Sequence, residues 1–214
     1  MEVMRPHFRR GAFAALFVRT SAASLFSLVC VTPLVAQNPH RQGLWAELAS
    51  GPARIRIQCT ECGSVVRAAG SGGYLRIGGT LSPKVLLGIE LYGFTDESFG
   101  FTESDTSIVA NSANVSAVML WYPWRSHFNI KAGVGLAEGL FTLPPVGTDT
   151  VEAEGYGVGL TFGLGMDVPI SRKLSLTGNA AVYFSAIGDI RLPAQTVEDV
   201  IPTTYLLSLG LSVR

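Results

Sequence analysis

The chain has 214 residues with equal numbers of acidic and basic side chains, and 15% of its residues are charged against 48% hydrophobic. That balance excludes the basic face that nucleic-acid binding needs. No stretch beyond the first 36 residues is apolar for long enough to be a membrane-spanning helix.

The first 36 residues have the pattern of an export signal. Arg5, Arg9, Arg10 and Arg19 form a basic region, Ser21 to Val35 is uncharged and apolar, and Leu34-Val35-Ala36 is a cleavage site before Gln37. A membrane anchor is the competing reading. The uncharged run is shorter than the ~20 residues a spanning helix needs, and Arg19 blocks its extension backward. Arg9-Arg10 hints at a twin-arginine signal, but the flanking residues fit poorly. Val29 is too large to precede a lipoprotein cysteine at Cys30. Residues 1–36 are therefore expected as a cleaved signal peptide and 37–214 as a single domain of formal charge −3.

Eight strands are expected in that domain. The first is Gly43 to Ser50, with Ala53 to Gln58 as a candidate continuation upward to Cys59. The second, Gly73 to Leu81, puts Leu75, Ile77 and Leu81 on one face and Tyr74, Arg76, Gly78 and Thr80 on the other. Ser82-Pro83-Lys84 is a tight turn, because proline fixes φ and donates no hydrogen bond. The third, Val85 to Phe94, sets Leu87, Ile89 and Leu91 against Gly88, Glu90 and Tyr92. The fourth is Asn111 to Tyr122, closed by Pro123 to His127. The fifth, Phe128 to Ala137, opposes Phe128, Ile130, Ala132, Val134 and Leu136 to Asn129, Lys131, Gly133 and Gly135. The sixth is Tyr156 to Val168, closed by Pro169 to Lys173; the seventh is Leu174 to Ile187 and the eighth Thr203 to Val213.

A strand sends successive side chains to opposite faces. In the sixth strand every second residue is large and apolar and those between are Gly, Thr or Asp. The small polar face is a poor outer skin in water, but it suits the inside of a narrow barrel. That inversion is the signature of a barrel that spans a membrane. Most candidates reach the ~9–11 residues a tilted spanning strand needs. Short connections follow the second, fourth and sixth strands, and long ones the first, third, fifth and seventh. Twelve of the fifteen acids after residue 36 lie in the long connections, including Asp96, Glu97, Glu103, Asp105, Asp149, Glu152, Glu154, Glu198 and Asp199. Lys84, Arg125, Arg172 and Lys173 lie in the short ones. Trp121, Trp124 and Phe128 cluster at the second short turn, where an interfacial girdle belongs, and Tyr156 and Phe94 fall nearer the outer boundary.

The mature chain resembles the small outer-membrane β-barrel proteins, similar in plan to the OmpA-like eight-stranded transmembrane barrel. The resemblance rests on Gly73-Tyr-Leu-Arg-Ile-Gly-Gly-Thr-Leu-Ser-Pro83, Ile130-Lys-Ala-Gly-Val-Gly135, Leu160-Thr-Phe-Gly-Leu-Gly-Met-Asp-Val-Pro169 and Leu206-Leu-Ser-Leu-Gly-Leu-Ser-Val213. It implies an all-β, antiparallel, up-and-down transmembrane barrel in the outer membrane, monomeric, in contact with membrane lipid and lipopolysaccharide and inserted by the barrel assembly machinery. The family's last strand usually ends on an aromatic residue read by the assembly machinery, whereas this chain ends on Arg214, so either Val213 serves instead or recognition is looser in this lineage.

Strand parity puts Glu47, Arg76, Glu90 and Lys131 inside. Two acids and two bases in a narrow lumen are expected to pair, with Tyr74, Tyr92 and Tyr183 around them, since an unpaired charge there costs several kcal/mol. The functional reading is a gate or proton path; the plainer one is a polar plug, because eight strands enclose only enough space for side chains.

Cys59 and Cys62 are the cysteine pair of the mature chain, and export favours a local disulfide in the first outer loop. A redox pair remains open, although no helix start is present to stabilise a thiolate. Zinc needs about four ligands, which two cysteines with no nearby histidine do not supply. Gly63 stands where haem attachment requires histidine. The loop acids could hold calcium or bridge to lipopolysaccharide, but they lack EF-hand spacing and read more simply as a solvated face. No cofactor is expected. Catalysis is not expected either, because neither His40 nor His127 lies near the outer rim beside a serine or an acid. Two other classes stay open: a soluble lipocalin-like barrel with its apolar faces inward, and a narrow channel.

Overall fold

The computed structural model describes residues 43–58, 66–96, 109–123, 127–146, 149–191 and 196–214. Alternation of apolar with small or polar residues produces nine strands in chain order. They are β1 (Leu44–Gln58), β2 (Val66–Ser82), β3 (Val85–Asp96), β4 (Val109–Trp121), β5 (Phe128–Val146), β6 (Asp149–Pro169), β7 (Leu174–Ala186), β8 (Gly188–Arg191) and β9 (Thr196–Val213). Each of β1 to β6 pairs antiparallel with the next. β7 pairs with β9, and β9 pairs back with β1, so eight strands close into a barrel.

The register sets the tilt. The row of cross-strand partners from Trp45 runs through Gly78, Gly88, Val118, Gly133, Thr161, Tyr183 and Thr204, and returns to β1 at Ile55. Closure therefore occurs ten residues further along β1, and stagger of this kind is what inclines barrel strands to the axis.

The faces divide as parity predicts. Ile77, Ile89, Leu136, Val158, Leu164 and Leu209 are exposed, Leu136 by 72%, while Arg76, Glu90, Ser116, Lys131, Thr161 and Asp167 are buried inside. Bare leucines outside and buried charge inside invert the arrangement of a water-soluble barrel. The lipocalin-like expectation, which needs the apolar faces inward, fails on this distribution.

The interior has three levels. Near the short turns, Trp45, Leu86, Leu120 and Tyr122 form one apolar cluster. The charged residues occupy the middle. Toward the long connections, Ile55, Ile57, Phe94, Ile187, Val200 and Leu206 form a second apolar cluster with Tyr74, Tyr92 and Tyr183. This upper cluster adds an apolar layer to the polar plug expected from parity. Ile55 and Ile57 belong to the continuation of the first strand, and they enter the lumen because β1 runs on to Gln58. Phe94 is buried inside rather than standing on the outer boundary, whereas Tyr156 is exposed.

Several strands outrun their sequence expectation at the long-connection end. β5 and β6 have 19 and 21 residues and stay paired to Val146↔Asp149, where the sequence suggests a loop. Pro, Gly and acids are poor strand formers, but cross-strand pairing overrides such preferences. The seventh strand stops at Ala186, one residue short of expectation, and β8 follows as a separate short strand. Pro202 has no N–H to give, and the β7–β9 ladder ends beside it at Phe184↔Thr203. Gly188, at φ +76°, then turns the chain so that Ile187 N donates to Val200 O and β8 pairs with β9 alone. The short turns are tight as expected: Ser82 Oγ accepts from Lys84 N, and Ile170 N and Ser171 N both donate to Leu174 O.

Candidate functional site in the charged lumen

Register alone brings three of the predicted charges side by side. Glu47 is the cross-strand partner of Arg76, and Arg76 of Glu90. Arg76 Nε lies 2.7 Å from Glu90 Oε2, and Arg76 Nη1 lies 3.5 Å from Glu47 Oε2. Lys131, two strands beyond Glu90 on β5, places Nζ 2.9 Å from each oxygen of the Glu90 carboxylate. Its partner on β6 is Gly163, where even a Cβ would stand 3.2 Å from Lys131 Cε. A bare position there gives the lysine stem room to cross the lumen.

Neutral side chains add to the coordination. Glu47 Oε1 accepts from Tyr74 OH at 2.6 Å, Thr177 Oγ1 at 3.1 Å and Asn179 Nδ2 at 3.2 Å. Lys131 Nζ also donates to Tyr183 OH at 3.1 Å. The Arg76 guanidinium stacks 4.0 Å from the Tyr74 ring centre, and Tyr92 stacks on Tyr183 with centres 3.6 Å apart. Two carboxylates and two cations balance, so the layer carries no net charge. All four charged residues are almost fully buried.

A second polar group closes the short-turn end. Tyr122 OH donates to Asp167 Oδ2 at 2.7 Å, and Arg214 Nη2 donates to the same oxygen at 2.6 Å and to Tyr122 OH at 3.2 Å. Arg214 N donates to Lys173 O, which draws the chain end across the base of the barrel. Asp167 is legible by parity, since it shares the face of Gly163 and Gly165, but its partner Arg214 follows the last strand and has no parity to read.

The structure thus brings Glu47, Arg76, Glu90 and Lys131 into one layer. Cys59 and Cys62 lie outside the described residues, as do Glu97, Glu103, Asp105 and Trp124. Among the described residues no three His, Cys, Asp or Glu side chains gather as metal ligands.

No protein-family model matches the chain, and no curated protein sequence matches it. Solved structures do. The attachment invasion locus protein Ail of Yersinia pestis superposes with a TM-score of 0.57 at 14% identity over 80% of this chain and 99% of Ail. The same protein in complex with the heparin analogue sucrose octasulfate gives 0.57 at 13% identity over 79% of this chain and 99% of that one. Neisserial surface protein A gives 0.51 at 14% identity over 80% of this chain and 96% of its own. At such identities the likeness speaks for architecture, and this chain has the fold of the small eight-stranded outer-membrane β-barrels.

Proposed function

We propose that the protein is an exported outer-membrane barrel whose lumen is closed to solutes and whose contacts with the outside are made by its long-connection end. The observation that carries this reading is the buried ion layer of Glu47, Arg76, Glu90 and Lys131 beneath an apolar cap of Ile55, Ile57 and Phe94. An exterior of exposed Leu, Ile and Val supports lipid as the surrounding medium, and a closed sheet is the one β-structure that leaves no backbone group unpaired there.

Export would follow cleavage after Ala36, so the mature chain would begin at Gln37. Insertion would use the barrel assembly machinery, and the product would be a monomer in contact with lipopolysaccharide. Cys59 and Cys62 would be joined as a disulfide in the first outer loop. The role is structural or surface-binding rather than catalytic. Ail holds a polyanionic heparin analogue. The β5–β6 hairpin of this chain shows exposed Glu138 and Glu154 instead, which suits a cationic partner better.

The test is fractionation followed by SDS electrophoresis of boiled and unboiled samples, then conductance in planar bilayers. The reading expects an outer-membrane location, a heat-dependent shift and no conductance. Protein in the soluble periplasm without a shift would overturn the membrane reading. Steady conductance that rises when Arg76 or Lys131 is neutralised would replace the closed barrel with a channel.

A further inference from the structure

Three arginines share the outward face where β1 and β2 rise toward the long connections. Arg56 and Arg67 are direct cross-strand partners. Arg54 lies one outward step below Arg56 and is the partner of Tyr205 on β9. Arg54 and Arg67 are exposed and Arg56 is half-buried. None of the ion pairs formed among the described residues includes any of the three. Arg56 Nε is buried without a hydrogen-bond partner.

Like charges directly opposed on a sheet repel each other. Elsewhere in this molecule buried charge is neutralised within the chain, and among the described residues no acid pairs with these arginines, so their opposition favours an anion from outside. The height on the barrel identifies its source. Leu207, Leu209, Leu211 and Val213 form an exposed apolar stripe up β9, and Tyr205, half exposed, stands directly above it. A tyrosine at the top of a lipid-facing stripe marks the level of the headgroups. The arginines are beside and just above that tyrosine, on the end of the barrel opposite the short turns.

We infer that Arg54, Arg56 and Arg67 form a binding site for the phosphate of an outer-leaflet glycolipid. The inference rests on the membrane reading above and names the lipid group that the barrel surface grips. Guanidinium groups match phosphate geometry with paired N–H donors and are weakly hydrated, which suits the edge of a hydrocarbon layer. The acyl chains of the same lipid would lie along the Leu207–Leu209 stripe, and the Tyr205 ring would pack between the two.

The experiment uses the full mature barrel purified in mild detergent, with bisphosphorylated lipid A as the probe and native mass spectrometry as the readout. A heat-dependent electrophoretic shift is measured on every sample first. Its absence from the unaltered protein is a failure of the membrane reading, separate from any failure of the site. With the shift present, retention of bisphosphorylated lipid A at least tenfold tighter than its dephosphorylated form supports the site. Arg56→Gln with Arg67→Gln should remove that preference, whereas Lys84→Gln at the opposite end should leave it. Arg67→Glu adds a second readout: it would pair with Arg56 across the strands, so the barrel should resist urea better while losing the lipid. Equal retention of the phosphorylated and dephosphorylated lipids would overturn the inference. So would unchanged retention by the double variant, or competition by inorganic phosphate or a sulfated glycan at equal concentration.

Discussion

Lys131 Nζ contacts both carboxylate oxygens of Glu90 at 2.9 Å, and Glu90 Oε2 also lies 2.7 Å from Arg76 Nε. The carboxylate is thus the hinge of the whole layer, shared by two cations from different strands. Breaking such a buried pair from one side leaves an uncompensated charge and costs about 3–5 kcal/mol. Lys131→Met is expected to lower the unfolding free energy measured by urea titration by an amount in that range. Glu90→Gln combined with Lys131→Met should cost less than the two single changes added together, since neighbours in one network are not additive. Additive losses would show that the contact contributes little to stability.

The base of the barrel offers an independent prediction. Asp167 accepts hydrogen bonds from both Tyr122 and Arg214. Asp167→Asn leaves Arg214 without its carboxylate, and hydrogen bonds to charged groups contribute about 1.5–3 kcal/mol each. A drop of that order in unfolding free energy is expected, and Arg214→Gln should lower stability in the same direction. Conductance should not appear in either variant, because the ion layer above is untouched. Stability equal to that of the unaltered protein would dismiss the latch.

Close strand approach makes one glycine critical. A Cβ at Gly135 would stand 1.9 Å from Val115 O, a backbone atom of the neighbouring strand. Gly135→Val should therefore disrupt β4–β5 pairing and abolish the heat-modifiable band in membranes. Gly79, where a Cβ would meet nothing within 4 Å, should accept alanine without loss. The two substitutions together separate a steric requirement from a general preference for small residues.

Phe94 is 2% exposed inside the upper cluster. Phe94→Ala should destabilise the barrel by about 3–5 kcal/mol through loss of buried surface and a remaining cavity. A surface aromatic would show almost no effect, so a neutral result would return Phe94 to the outer boundary.

The disulfide proposed for Cys59 and Cys62 is checked by alkylation of the mature protein. Iodoacetamide is expected to modify both cysteines only after reduction. Labelling without reductant would establish free thiols.

Much of the lumen is legible in the sequence. Period-two alternation assigns a face to every residue of a strand, and with one face set by Ile77 or Leu136 the positions of Arg76 and Lys131 follow. Parity does not say how far a strand continues once it leaves the apolar stretch. Ile55 and Ile57 therefore fall only in a candidate continuation of the first strand, and the parts of β5 beyond Ala137 and of β6 before Tyr156 read as loop. Asp167 carried the right parity, yet its role depended on a partner beyond the final strand.

The amino-acid sequence by itself determined the class of the fold, the number of barrel strands and the inward positions of Glu47, Arg76, Glu90 and Lys131. Those follow from local periodicity and turn chemistry, which need no knowledge of the closed sheet. Only the tertiary structure decided the ten-residue stagger at closure, the layer that joins Lys131 to Glu90, the Arg214–Asp167 contact and the opposition of Arg56 to Arg67. Each of these depends on register between strands or on side chains reaching across the lumen, and register is a property of the closed barrel rather than of any one segment.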